Sequence, residues 1–127
     1  MKRVIESDGA PAAIGPYAQS IGAGGFLFVS GQIGLDPSSG LLVEGTAADE
    51  ARRALENVRA VLTAAGLSTE SVVRTTLYIT DLADFPIVNQ VYAGFFAAPF
   101  PARTTVQVAA LPRGARVEID AIAVTGT

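Results

Sequence analysis

The chain has 127 residues, of which 50% are hydrophobic and 17% charged, a composition that fits one globular domain over residues 1–127 and excludes a disordered polymer. It contains no His and no Cys, and its one Lys is Lys2, so imidazole bases, thiolate nucleophiles, disulfides, His- or Cys-based metal sites and an interior Schiff-base lysine are all removed. Nine basic residues against twelve acidic ones give a net charge of −3, without the basic stripe that nucleic-acid binding requires.

The opening residues, MKRVIESDGAPAAIG, carry two basic side chains with no apolar run behind them. No window approaches the roughly 18 continuous apolar residues of a membrane span. The protein is expected to be soluble and cytoplasmic. Two short apolar runs, Tyr17 to Ile21 and Phe26 to Ser30, flank Gly22-Ala23-Gly24-Gly25 and predict a β-hairpin. A loop with Pro37 and Gly40 follows.

Thr46 and Asp49 form a capping-box pattern that opens a helix. Ala51, Ala54, Leu55, Val58, Leu62 and Ala65 make its apolar stripe, and Gly66 stands at its end. Val72 to Ile79 split by parity as a β-strand does, with Val73, Thr75, Leu77 and Ile79 on one side. A second helix is predicted from Asp84, read as its cap, with Pro86 in the first turn and Val88, Val91, Tyr92 and Phe95 along one side. Pro99 and Pro101 stop it, and strands are predicted over Thr104 to Ala110 and Arg116 to Val124.

The order β-β-α-β-α-β-β predicts an α+β sandwich with both helices on one face of the sheet. In the last strand Val117, Ile119, Ala121 and Ala123 share one face, whereas the other runs from Glu118 and Asp120 to apolar Ile122 and Val124. Two helices cover one side of a sheet only, so an apolar second side predicts contact with another subunit.

Several residues have types suited to chemistry. Arg103 follows a proline bend at the entry to a strand, where its planar fork suits either a carboxylate clamp or a salt bridge. Glu118 is either a partly desolvated acid/base or a solvated alternation position. Tyr17 and Ser30-Gly31 sit at small-residue breaks that can present a hydroxyl and a backbone N–H to a ligand, as ordinary turns also do. Asn89 is either a ligand contact or a helix-surface amide.

The order and company of these motifs are more specific than any one of them. Residues 10–19 (APAAIGPYAQ), 29–32 (VSGQ), 89–92 (NQVY), 101–104 (PART) and 117–124 (VEIDAIAV) together closely resemble the RidA family, also called YjgF or the reactive-intermediate imine deaminases. The resemblance spans nearly the whole chain. It implies a chorismate-mutase-like fold, a homotrimer whose sheets form a barrel, and ligand clefts between subunits. It also implies hydrolysis of 2-imino and 2-enamino acids, such as 2-aminoacrylate, to 2-oxo acids and ammonia, with no cofactor and no metal. Carried over by position, Arg103 matches the arginine that clamps the substrate carboxylate, and Glu118 the glutamate that holds or activates water. Tyr17, Ser30 and Asn89 match cleft residues, and Gly31 and Thr105 match main-chain contacts to the acid. Thr105 departs from the Cys that many members carry, and Asp120 from a common Glu. Within the same resemblance, a non-catalytic small-acid-binding module, a chaperone-like protein and a translation-inhibiting ribonuclease are alternatives, the last disfavoured by charge.

Overall fold

The computed structural model describes residues 1–126. Eight regular elements follow one another: β1 Arg3–Ile5, β2 Ser20–Ala23, β3 Phe26–Ile33, α1 Ala47–Ala64, β4 Val72–Ile79, α2 Phe85–Phe95, β5 Ala102–Gln107 and β6 Val117–Val124. The strands form one mixed sheet in the order β1-β2-β3-β6-β4-β5, antiparallel throughout except for the parallel β4–β5 pair.

Helix α1 starts and stops where its end residues dictate. The Thr46 hydroxyl accepts from Asp49 N–H, and the Asp49 carboxylate accepts from Thr46 N–H at 2.8 Å, which completes the capping box with Asp in place of Glu. At the other end Gly66 N–H donates to Thr63 O and Leu67 N–H to Leu62 O, the paired bonds of a Schellman motif. The stripe Ala51, Ala54, Leu55, Val58 and Leu62 is fully buried. It packs on Leu27 and Val29 of β3 and on Val117, Ile119, Ala121 and Ala123 of β6. The predicted alternation of β6 therefore holds along its whole length.

Several predicted elements shift, each for a physical reason. Arg3–Ile5 is a strand only because it pairs with β2, Val4 opposite Ile21; three residues carry no period to read. The first hairpin arm is Ser20–Ala23 and excludes Tyr17, and the turn is the two-residue Gly24-Gly25, both at positive φ. Strand β5 covers 102–107 rather than 104–110, because its sole neighbour, β4, ends at Ile79 opposite Gln107. In β4 the register slips by one residue between Val72 and Arg74, so Val72 is buried and Val73 exposed, against the simple parity. Asp84 does not cap α2: it is itself helical, at the end of the short turn Leu82–Asp84, and Asp81 caps that turn by accepting from Ala83 N–H at 2.9 Å.

Both helices lie on one face of the sheet. On the other face Phe26, Phe28, Ile122 and Val124 sit in register across β3 and β6, with Phe26 and Phe28 each more than 40% exposed. Covering each ring would contribute roughly 1.5–3 kcal/mol.

Candidate functional site

The seven candidate residues fall into two groups on this framework. The first group gathers around a cavity of about 560 Å³ beside β3, whose lining includes Tyr17, Ser30, Gly31, Gln32, Arg113 and Glu118. An extra residue in β3 makes this possible: Val29 pairs with Ala121 and Gln32 with Ile119, three steps on one strand against two on the other. The bulge keeps Gln32 buried and leaves Ser30 and Gly31 at the cavity. Glu118 then lies over Gly31, where a Cβ would stand 2.0 Å from Glu118 Oε2. A side chain at residue 31 would displace the Glu118 carboxylate from this position.

Two hydrogen bonds define what this group can offer. Ser30 Oγ donates to Ala18 O at 2.6 Å, so its single proton is committed and toward a ligand it can only accept. Gln19, 4% exposed, accepts from Ser7 N–H at 2.7 Å and donates to Pro11 O at 2.8 Å, which fastens the 7–11 segment that walls the cavity. The Glu118 carboxyl is held above the usual carboxylate range, first by burial and second by the negative charge of Asp120.

The second group surrounds Arg103 on β5. Arg103 Nη1 donates to Asn89 Oδ1 at 2.8 Å, and its guanidinium lies 4.6 Å from the Tyr92 ring centroid and 5.4 Å from that of Phe85. Tyr92 is 4% exposed, its hydroxyl bonded to Thr75 Oγ1 at 2.6 Å, so the ring is a fixed platform. Burial raises the Tyr92 hydroxyl above its ordinary range. Asn89, Tyr92, Phe100, Pro101 and Arg103 line a cavity of about 390 Å³. Asn89 uses one of the five guanidinium N–H groups, which leaves enough for a bidentate carboxylate contact. Asn89 is thus bound to the arginine itself, and Tyr92, read from sequence only as apolar packing, is its aromatic support. Thr105 lies two residues along the same strand with its hydroxyl buried and unpartnered.

The two groups are not joined within one chain. Arg103 is in register with Thr75, on the helix-covered face, and Glu118 with Tyr78, on the uncovered face. Among the described residues no group of three or more His, Cys, Asp or Glu could hold a metal ion, and no helix is long and apolar enough to cross a membrane.

Fold and site together define an α+β sandwich that carries, on opposite sides of its sheet, an arginine braced by an amide and an aromatic ring and a glutamate of raised proton affinity. The chain belongs to the family whose model is described as Endoribonuclease L-PSP, which matches residues 7–125, the RidA/YjgF family. It is 51% identical over 126 residues to the 2-iminobutanoate/2-iminopropanoate deaminase of Mus musculus, covering 99% of this chain and 93% of that one. Among solved structures, a putative endoribonuclease from Thermotoga maritima superimposes with a TM-score of 0.96 at 48% identity, covering 100% of both chains. TdcF of E. coli with bound serine does so with a TM-score of 0.93 at 46% identity, covering 98% of this chain and 99% of that one.

Proposed function

We propose that the protein is a cofactor-independent hydrolytic deaminase of the cytoplasm that converts 2-imino and 2-enamino acids, such as 2-iminopropanoate and 2-aminoacrylate, to 2-oxo acids and ammonia. The enzyme class is that of its curated relatives at about 50% identity along nearly the whole chain. The observation that carries the reading is the preorganised Arg103, braced by Asn89 and Tyr92 with donors to spare. In this reading Arg103 grips the substrate carboxylate, and Tyr17, Ser30, Gly31 and Thr105 line the cleft around it.

The remaining chemistry needs one proton shuttle. In its protonated form Glu118 gives a proton to the imine nitrogen. As water adds at C2, the Glu118 carboxylate takes a proton from it, and the carbinolamine forms. A second transfer to nitrogen lets the C–N bond break, its electron pair leaving with ammonia, while the hydroxyl proton returns to Glu118 and C2 becomes a carbonyl. Ser30, able only to accept, suits an iminium N–H or the water. Imines already hydrolyse in water unaided, so positioning plus one acid/base, worth about 10²–10⁴-fold, is an adequate catalyst.

The cleft is completed in this reading by a homotrimer, each site joining Arg103 of one copy to Glu118 of another. Its support is the placement of these residues on opposite faces and the exposed Phe26, Phe28, Ile122 and Val124 surface. A second reading, a module that binds small carboxylic acids without turnover, is favoured by the bound serine of TdcF. Ammonia release from imines generated in situ, measured with and without the protein, separates the two: acceleration supports the deaminase, and 2-oxo acid binding without acceleration supports the module.

A further inference from the structure

Asp120 follows Glu118 by two residues in β6, so the two carboxylates share the uncovered face about 7 Å apart along the strand. Asp120 does not swing freely. Its Oδ1 accepts from Thr76 N–H at 3.2 Å and its Oδ2 from the Tyr78 hydroxyl at 3.0 Å. The register makes this arrangement: Thr76 stands opposite Asp120 and Tyr78 opposite Glu118. None of the ion pairs among the described residues includes Asp120. A negative group is thus pinned beside the glutamate, with no ion-pair partner among the described residues of its own chain.

We propose that Asp120 is a positioning residue for the reaction, a second carboxylate fixed by Tyr78 and Thr76 on the same face as Glu118, that keeps Glu118 poised to deliver its proton to the imine nitrogen. The inference rests on the deaminase reading for its purpose, though not for its electrostatics. The charged and titratable groups facing Glu118 are Asp120 on its own strand, Tyr78 on β4, Arg113 on the turn before β6, and Tyr17 on the loop before β2. Strand β3 contributes only the uncharged Ser30, Gly31, Gln32 and Ile33. Burial and Asp120 both raise the proton affinity of Glu118, and the Tyr78 hydroxyl is itself raised by burial and by its bond to Asp120. Arg103 reaches Glu118 only from another copy, so its influence is constant between variants compared in the same assembly.

Asp120→Asn removes the charge and keeps the shape and one acceptor oxygen. The Glu118 carboxyl is followed by carbon-13 NMR titration of the full chain, alongside the pH profile of kcat/KM with an imine generated in situ. In Asp120→Asn both the Glu118 midpoint and the high-pH fall in activity are expected to move to lower pH, and Asp120→Glu should restore them. Tyr78→Phe, which leaves the charge but frees one oxygen, should move Glu118 the same way by less and serves if Asp120→Asn does not fold. Parental titration of Glu118 in the folded variant overturns the proposal. Failure of the parent to hydrolyse any imine would sink the deaminase reading and leave the NMR comparison to decide the electrostatic one.

Discussion

Arg103 and Glu118 stand on opposite faces of a single sheet, Arg103 beside α2 and Glu118 over Gly31. One copy therefore cannot bring a carboxylate held by its own arginine to its own glutamate without crossing the sheet. This yields a sharp test. Arg103→Ala and Glu118→Ala proteins should each be inactive, but unfolded and refolded together they should regain activity. With random mixing in a cyclic assembly, roughly a quarter of the sites join an intact Arg103 to an intact Glu118. Mixtures as inactive as the separate variants would exclude a shared site.

Arg103→Lys keeps the charge but loses the fork and the fixed distance to Asn89. Removing a charge-assisted bidentate pair should weaken 2-oxo acid binding by about 2–4 kcal/mol, read as a rise in Kd, with folding unchanged because Arg103 is exposed. Retention of full affinity by Arg103→Ala would falsify the clamp.

Asn89→Ala and Tyr92→Phe probe the support of that arginine separately. Asn89→Ala frees the guanidinium and should raise KM more than it lowers kcat, since orientation of the bound acid is what it supplies. Tyr92→Phe keeps the ring under Arg103 but strips the buried Thr75 hydroxyl of its partner, at a cost of about 1–3 kcal/mol of stability by denaturant titration. Its effect on KM should be small.

Much of this framework is legible from residue order alone. Strand β6 declares itself because a half-buried strand must alternate, and α1 because Thr46, Asp49 and Gly66 mark its ends. What escapes is whatever a distant partner defines. The bulge at Ser30-Gly31 exists only against β6, so no local pattern announces it. The same holds for the buried polar side of α1. Asn57, fully buried, donates to Leu35 O at 2.9 Å, and Glu50, 1% exposed, accepts from Arg116 N–H at 2.7 Å, from residues 22 and 66 positions away. A helical wheel shows both as polar positions and gives no sign that they anchor the chain around the cavity. Family motifs place Arg103 and Glu118 in one site, whereas the sheet register shows which face each occupies.

Gly31→Ala tests the close approach that the bulge creates. A methyl group 2.0 Å from Glu118 Oε2 cannot be accommodated unless the carboxylate moves. The Arg103 side remains intact, so 2-oxo acid binding should persist while kcat falls to near the level of Glu118→Gln. Parental kcat in Gly31→Ala would show that the position of Glu118 over the backbone is immaterial to turnover.

The proton affinity of Glu118 also carries a stability consequence whose sign differs from that of an ordinary salt-bridged carboxylate. Burial and Asp120 raise its folded-state value above the unfolded one, so between the two the folded protein binds the extra proton. Stability from this group is full where Glu118 is protonated in both states and is lost as pH rises through the raised folded value. Glu118→Gln, which cannot ionise, escapes that loss. Its Tm should therefore exceed the parent's at neutral pH, and the difference should shrink to nothing below about pH 4, where the parent's Glu118 is protonated folded or unfolded. Thermal melts of both proteins from acid to neutral pH measure it directly, and a constant Tm difference across that range would mean that desolvation of Glu118 is fully offset in the assembled protein. A variant that loses turnover while gaining stability at neutral pH is the expected signature of an acid held in a place that suits its chemistry better than its charge.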